Sequence, residues 1–383
     1  MKNRVFWQDL IEKIWKKRSI IWLAGVRRAG KTMLCQSLEN THYYDCELPS
    51  IRRQLDDIEL FLQNHKNKRI IIDEIHRLHN PSELLKIAAD HFPQTKIIAT
   101  GSSTLGASSK FGDTLTGRKA EIWLTPMLSF ESILFGNKNI NHRLLQGGLP
   151  PYFMETTFPE KALAEWLDSY WAKDIQELFR LEKKYAFQKC VELIFAQSGE
   201  IFEATKFASA CEVSRTAINN YLSVLETTFV THIIRPFHSR LSNEIISAPK
   251  IYGFDTGMVC FAKGWHTLRP DDMGLLWEHY VLNEIHGQLQ TRDILYWRNK
   301  QHHEIDFIYC KNRTQQNPTA IECKWNVDQF APDNLMVFRK RYSMGDNYVV
   351  GHNVKEKFQK KWGELIITFI NLTDLIDLLK HHE

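Results

Sequence analysis

One stretch constrains this chain more than any other: Gly25-Val-Arg-Arg-Ala-Gly30-Lys31-Thr32. It satisfies G-x4-G-K-[ST] at every position. An apolar, strand-like run (19–24) precedes it and a helix-like segment (31–39) follows. A glycine-rich loop in that setting turns backbone N–H groups and the positive end of a helix toward an anion. Lys31 is placed to reach the β- and γ-phosphates of a nucleotide, and the Thr32 hydroxyl to bind Mg²⁺. A chain with such a loop has to build a parallel α/β layer around it.

The surrounding pattern agrees. Residues 2–17 carry a helical apolar stripe, and apolar runs at 69–72, 96–100 and 120–124 read as buried strands, with a helix at 82–90 between two of them. The run Arg69-Ile-Ile-Ile-Asp73-Glu74 ends in two acids, the Walker B arrangement. Asp73 is expected to hold Mg²⁺ and Glu74 to polarise the attacking water. That second acid separates hydrolysing ATPases from kinases. After the third strand comes Thr100-Gly101-Ser102-Ser103, where Ser102 is expected to orient the water or sense the γ-phosphate. Arg118, in Gly117-Arg118-Lys119, is the candidate arginine finger, supplied in cis or by a neighbouring subunit. The expected catalytic group is thus Lys31, Glu74, Ser102 and Arg118. ATP is expected on Gly25, Arg27, Ala29, Gly30, Lys31, Thr32 and Met33, with its Mg²⁺ on Thr32 and Asp73.

Composition narrows the class. With 43% apolar and 25% charged residues the chain is neither disordered nor low-complexity. Its 383 residues allow two or three domains, at roughly 100–200 residues each. A net charge of +4 does not by itself argue for nucleic acid. No apolar run approaches the ~20 residues that span a bilayer. Trp, Asp, Glu and Lys interrupt the first 18 residues, so they do not read as a leader. The seven cysteines form no CxxC pair, which points to reduced thiols rather than a zinc site. The expectation is a cytoplasmic protein with no membrane partner.

The character changes twice along the chain. Residues 158–229 are almost wholly helical. Within them, 203–210, a short turn at 211–213, and 214–226 read as a helix-turn-helix, with Ser214 as N-cap. The β-branched stretch 230–234 would be the wing of a winged helix. Its second helix offers Arg215, Thr216, Asn219 and Asn220, groups able to meet bases and phosphates. It carries only one basic residue, so an interdomain role stands beside DNA reading. Expected boundaries are 1–150 for the P-loop ATPase domain, 151–250 for a helical and winged-helix domain, and 251–383 for the last.

In that last part, Glu278 falls on a helix (274–290), Asp306 ends Glu304-Ile-Asp306, and Glu322-Cys-Lys324 lies on a strand beginning at 320. Side chains at i and i+2 share a strand face, so Lys324 points with Glu322. A lone Asp followed by Glu-x-Lys is the spacing of the PD-(D/E)xK nucleases. Asp306, Glu322 and Glu278 would hold Mg²⁺ or Mn²⁺, with Lys324 steadying the nucleophile or the leaving charge. Ile305 stands where those nucleases often have Pro.

These motifs, together with Ile75-His76-Arg77, Gly147-Gly-Leu-Pro150 and Pro249-Lys-Ile-Tyr-Gly-Phe-Asp-Thr-Gly257, make the chain resemble the AAA+-like P-loop ATPases of bacteria and archaea that end in a restriction-endonuclease-like domain. The resemblance implies an α/β fold with an AAA+-like core, a helical and winged-helix middle, and an α/β restriction-endonuclease-like end. The expected activity is Mg²⁺-dependent ATP hydrolysis coupled to action on DNA. The alternatives are a nucleotide-dependent switch that binds a protein partner and cuts nothing, and a transcriptional regulator using the winged helix. An Arg118 acting in trans would require a homo-oligomer.

Overall fold

The computed structural model describes residues 2–101, 115–176, 183–238, 248–311 and 317–381. They divide into two compact units. The first is Met1–Lys138, Gly148–Gln188 and Asn220–Val230; the second is Asn139–Gly147, Lys189–Asn219 and Thr231–Glu383.

The first unit is built on five strands: β1 (Ile20–Ala24), β2 (Thr41–Asp45), β3 (Arg69–Asp73), β4 (Lys96–Thr100) and β5 (Lys119–Trp123). All neighbours are parallel, in the order β2-β3-β4-β1-β5. β1, β3 and β4 are almost wholly buried, as parallel strands covered on both faces are. β4 separates β1 from β3, so the loops leaving those two strands open on one edge of the sheet, one strand apart. That carboxyl edge is where ligands bind in open α/β sheets. β2 has no apolar run to announce it: Thr-His-Tyr-Tyr-Asp is half-buried at the sheet margin. The helix Val5–Trp15 buries Trp7, Ile11 and Trp15, the expected stripe. The helix Pro81–His91 buries Leu84, Leu85 and Ala88.

The second unit is organised by a nine-stranded mixed sheet, ordered β13-β14-β12-β11-β10-β9-β7-β8-β6. Its strands are β6 (Glu200–Ile201), β7 (Thr231–Pro236), β8 (Lys250–Gly253), β9 (Ile294–Arg298), β10 (Glu304–Tyr309), β11 (Thr319–Lys324), β12 (Asn347–Gly351), β13 (Phe358–Trp362) and β14 (Leu365–Ile370). Phe237, Trp297, Ile305, Ile308, Phe338 and Phe369 form its core. Its strands lie on both sides of residue 250. The β-branched stretch expected as a wing is β7, and it pairs in parallel with β9 at Arg235↔Leu295 and Pro236↔Tyr296. Strands from both expected C-terminal domains therefore share one sheet.

The middle segment runs helix Lys184–Ala196, β6, helix Ala204–Ala210, helix Arg215–Thr227, β7, β8, with β8 pairing antiparallel to both β6 and β7. The Ser214 Oγ accepts the Ala217 N–H at 3.1 Å, the expected N-cap. Among the described residues, no helix is long and apolar enough to cross a membrane.

Candidate functional site

The glycine loop leaves β1 where a side chain would not fit. Gly25 has φ +144°, and a Cβ there would lie 2.4 Å from the Leu124 carbonyl oxygen. Gly30, at φ +97°, caps the helix Lys31–Gln36. The loop is also held from behind. Arg4, buried, forms a bidentate pair with Glu131 (2.6 and 2.8 Å), and its remaining nitrogen donates to the Ala29 carbonyl at 2.9 Å. Glu131 in turn accepts the Leu128 N–H at 2.9 Å. Neither Arg4 nor Glu131 belongs to a motif, and no local pattern marks them.

Lys31 curls onto its own loop and donates to the carbonyls of Gly25 (2.7 Å) and Val26 (3.1 Å). Desolvation lowers its pKa, against the opposing pull of Glu74, Asp174 and Asp73. Thr32 Oγ1 donates to Asp73 Oδ2 at 2.9 Å, and Tyr43 donates to the same oxygen at 2.5 Å. Thr100 Oγ1 donates to the other oxygen of Asp73. A hydroxyl facing an oriented carboxylate is the hard-oxygen donor set that Mg²⁺ takes. The residues of this loop and strand therefore fit the ion that the motifs imply.

Glu74 follows at once, in left-handed backbone (φ +51°). Burial raises its pKa, which makes the carboxylate a stronger base. His76 Nδ1 lies 3.2 Å from its Oε2.

A cavity of about 540 Å³ opens on these groups, lined by Arg27, Gly30, Lys31, Thr32, Met33 and Glu74 among the expected residues. Phe135, Pro150, Pro151 and Met154 supply an apolar side, and Asp174 a further carboxylate. Only Pro150 lies in a quoted motif, Gly147–Pro150; the others come from segments with no local signature. Both loop arginines are engaged. Arg27 pairs with Asp174 at 3.2 Å, and Arg28 lies over the Tyr152 ring at 5.8 Å. Arg118 is not among the lining residues: its Nε pairs with Asp90 at 2.7 Å. Ser102 lies outside the described residues.

The second constellation also comes together. Asp306 on β10 and Glu322 on β11 stand on neighbouring antiparallel strands. Lys324 Nζ sits 3.0 Å from Glu322 Oε2 and 3.9 Å from Asp306 Oδ2. Asp306 also accepts the Cys323 N–H at 2.7 Å. Glu278, on the helix Met273–Leu289, accepts from Tyr252 and lies 3.5 Å from Lys250, which pairs with Glu304 at 2.5 Å. Burial first, then Asp306, pushes the pKa of Glu278 and of Glu322 up. Asp306 above all holds Lys324 protonated. A cavity of about 730 Å³ is lined by Glu278, Asp306, Lys324, Trp325 and His352. Among the described residues, no three His, Cys, Asp or Glu side chains are grouped closely enough to hold a metal ion. The expected metal set of Glu278, Asp306 and Glu322 is therefore not closed. Glu278 turns to Tyr252 and Lys250, and Lys324 fills the space between the other two.

Comparison with known proteins assigns the segments separately. Residues 17–134 match the AAA domain, 137–269 a domain of unknown function (DUF8612), and 273–375 another (DUF4143). Uncharacterized proteins of Mycobacterium bovis and Mycobacterium tuberculosis are each 25% identical over 299 residues, covering 75% of this chain and 66% of theirs. The match thus spans just under two thirds of those relatives. An uncharacterized protein of Haemophilus influenzae is 22% identical over 355 residues, 84% of this chain and 86% of its own. Among solved structures, the Walker-type ATPase of Pyrococcus abyssi is 15% identical, covers 69% of this chain and 96% of that one, and has a TM-score of 0.46. A signal transduction ATPase with a tetratricopeptide repeat sensor from Pyrococcus horikoshii is 13% identical, covers 74% and 44%, and has a TM-score of 0.23. With the loop geometry, the AAA match makes the first unit the seat of a P-loop ATPase domain.

Proposed function

We propose that this protein hydrolyses Mg²⁺-ATP in its first unit and uses the nucleotide state to control a nuclease-like second unit that acts on DNA. One observation carries the ATPase part: Thr32 faces Asp73 at 2.9 Å while the next residue, Glu74, has its carboxylate made more basic by burial. In this reading Lys31 and the loop N–H groups bind the phosphates. Thr32 and Asp73 hold Mg²⁺, which neutralises phosphate charge. Glu74 takes the proton of the attacking water. Met33, Met154, Pro150 and Pro151 cover the nucleoside. Arg118, paired with Asp90 at 2.7 Å and absent from the cavity lining, carries no role in this reading.

The DNA part rests on the convergence of Lys324, Glu322 and Asp306, and on a middle segment whose order of elements supports a winged helix. Arg215, Thr216, Asn219 and Asn220 are exposed on its second helix. As the side chains stand they do not form a closed metal set, since Lys324 lies against Glu322 and Asp306 and Lys250 against Glu278. That observation favours the second reading, a nucleotide-dependent switch that binds a protein partner without cutting.

The test is phosphate release, together with cleavage of single- and double-stranded DNA in Mg²⁺ or Mn²⁺, with and without ATP. Cleavage abolished by Asp306→Ala supports the nuclease. Cleavage altered by Glu74→Gln supports ATP control. ATP hydrolysis with no cleavage under any condition leaves the switch.

A further inference from the structure

Asp174 is a buried carboxylate inside the nucleotide cavity that none of the roles above uses. Its residue exposure is 1%. It lies on a single π-helical turn, Trp171–Ile175, which continues the helix Glu160–Tyr170. Such turns carry one extra residue per turn and concentrate at functional sites. Here the turn carries an acid into a cavity built to receive an anion.

Its partner belongs to the phosphate loop. Arg27 Nη1 lies 3.2 Å from Asp174 Oδ2. The same helical segment grips the backbone of that residue: Trp166 Nε1 donates to the Arg27 carbonyl at 3.2 Å. Trp166 stacks on Tyr170, and Tyr170 shares a hydrogen bond with Thr228. Arg27 is thus held at two points by one segment, and the charged contact is the one a phosphate can replace. The cavity is lined by Arg27, Arg28, Lys31 and Lys2, with Glu74 and Asp174 as its carboxylates. A bound triphosphate adds negative charge beside Asp174. Arg27 and the phosphates attract; Asp174 and the phosphates repel. The two anions therefore compete for one guanidinium.

We infer that Asp174 is a built-in stand-in for phosphate: it holds Arg27 in the nucleotide-free protein and is displaced when ATP takes that arginine. The inference rests on the ATP reading of this cavity and adds a regulatory contact to it. Displacement loosens the Trp171–Ile175 turn, so the nucleotide state is passed to the helical segment through Asp174.

Mg²⁺-ATP affinity of the full chain, measured by calorimetry, tests this with Asp174→Asn, Arg27→Ala and the double variant. Removing the competing charge should tighten ATP binding on the order of ten-fold, within the range usual for coupled sites. In the Arg27→Ala background the gain should shrink to what relief of the direct repulsion between Asp174 and the phosphates supplies. Hydrogen exchange over residues 166–176 should rise when ATP is added to the wild type. In Asp174→Asn it should be high already and no longer respond. Asp174→Glu, which keeps the charge, should behave as the wild type. Equal or weaker ATP binding by a folded Asp174→Asn overturns the inference, and so does a gain that is undiminished without Arg27. Wild-type protein that binds no Mg²⁺-ATP overturns the ATP reading itself, a result that Lys31→Ala used as the blank separates from the others.

Discussion

Lys31 and Lys324 are both set among carboxylates, one in each unit, and the two are held in opposite ways. Lys31 spends its hydrogen bonds on carbonyls of its own loop, and desolvation dominates, so its pKa falls. Lys324 faces Glu322 and Asp306 directly, and attraction dominates, so its pKa rises. Carbonyl dipoles do not balance an ammonium ion in a desolvated site; a carboxylate does. The first site is consequently an anion receptor with charge in reserve. The second already holds its lysines against its own carboxylates. This is why the first unit asks for phosphate, whereas the second asks for Lys324 and Lys250 to give way before anything charged can bind.

The sharpest break between the two comes from the acids. Glu74→Gln should lower ATP hydrolysis by about 10²- to 10⁴-fold, the usual contribution of a general base, while ATP still binds. Asp306→Asn should leave phosphate release unchanged. A similar loss from both would mean that the carboxylates serve one reaction. The lysines come next. Lys324→Ala leaves buried Glu322 without its hydrogen-bond donor and should cost about 1–3 kcal/mol of stability at neutral pH. Lys31→Ala relieves a desolvated charge and should leave stability within about 0.5 kcal/mol of the wild type or raise it. Guanidinium denaturation of the two variants reads both. Equal destabilisation would remove the distinction.

How much of this was legible follows the same division. The candidate ATP site lies largely in contiguous stretches, 25–32 and 69–74, so its chemistry could be read before any fold was known. The buried strands β1, β3 and β4 were visible as apolar runs for the same local reason. Arg4–Glu131 and Arg27–Asp174 were invisible: their partners stand 127 and 147 positions apart, and nothing near either acid signals a role. β13 reads Phe-Gln-Lys-Lys-Trp and is exposed, so no periodicity marks it. That β7 joins β9 could not be read from residues 230–234, because pairing is decided by a partner some sixty positions on. In the second site the residues were legible and their arrangement was not. Spacing put Glu278 with Asp306 and Glu322, but Tyr252 and Lys250, from the Pro249–Gly257 stretch, turn it aside.

Acid should separate the units further. His286 and His232 are buried together in the second unit, ring centroids 4.6 Å apart. Burial lowers the pKa of His286 to about 3 and pulls that of His232 well down. Both are held neutral in the fold. The unfolded chain takes up protons below its ordinary value of about 6.5, which the folded state refuses. Their contribution is therefore complete above that pH and is lost progressively as pH falls toward 3. Denaturation midpoints measured from pH 7 to 4 should fall less steeply in His286→Gln than in the wild type. Parallel curves would show that His286 does not carry this loss.

The smallest effects probe the helix Arg215–Thr227, where stability and DNA contact can be pulled apart. Ser214 caps the helix through the Ala217 N–H and contributes nothing else to its exposed face. Ser214→Ala should cost about 1 kcal/mol and leave DNA affinity of the folded protein unchanged. Arg215 is exposed and makes no cap, so Arg215→Ala should leave the melting curve in place. If the face meets DNA phosphates, that variant should bind less tightly at every sequence, and the slope of log affinity against log salt should shrink by about 1. Fluorescence anisotropy with duplex DNA at several salt concentrations reads both quantities. A salt slope unchanged by Arg215→Ala would place DNA contact elsewhere and leave this helix as part of the scaffold, which would bring the second unit closer to the partner-binding switch than to a DNA-acting enzyme.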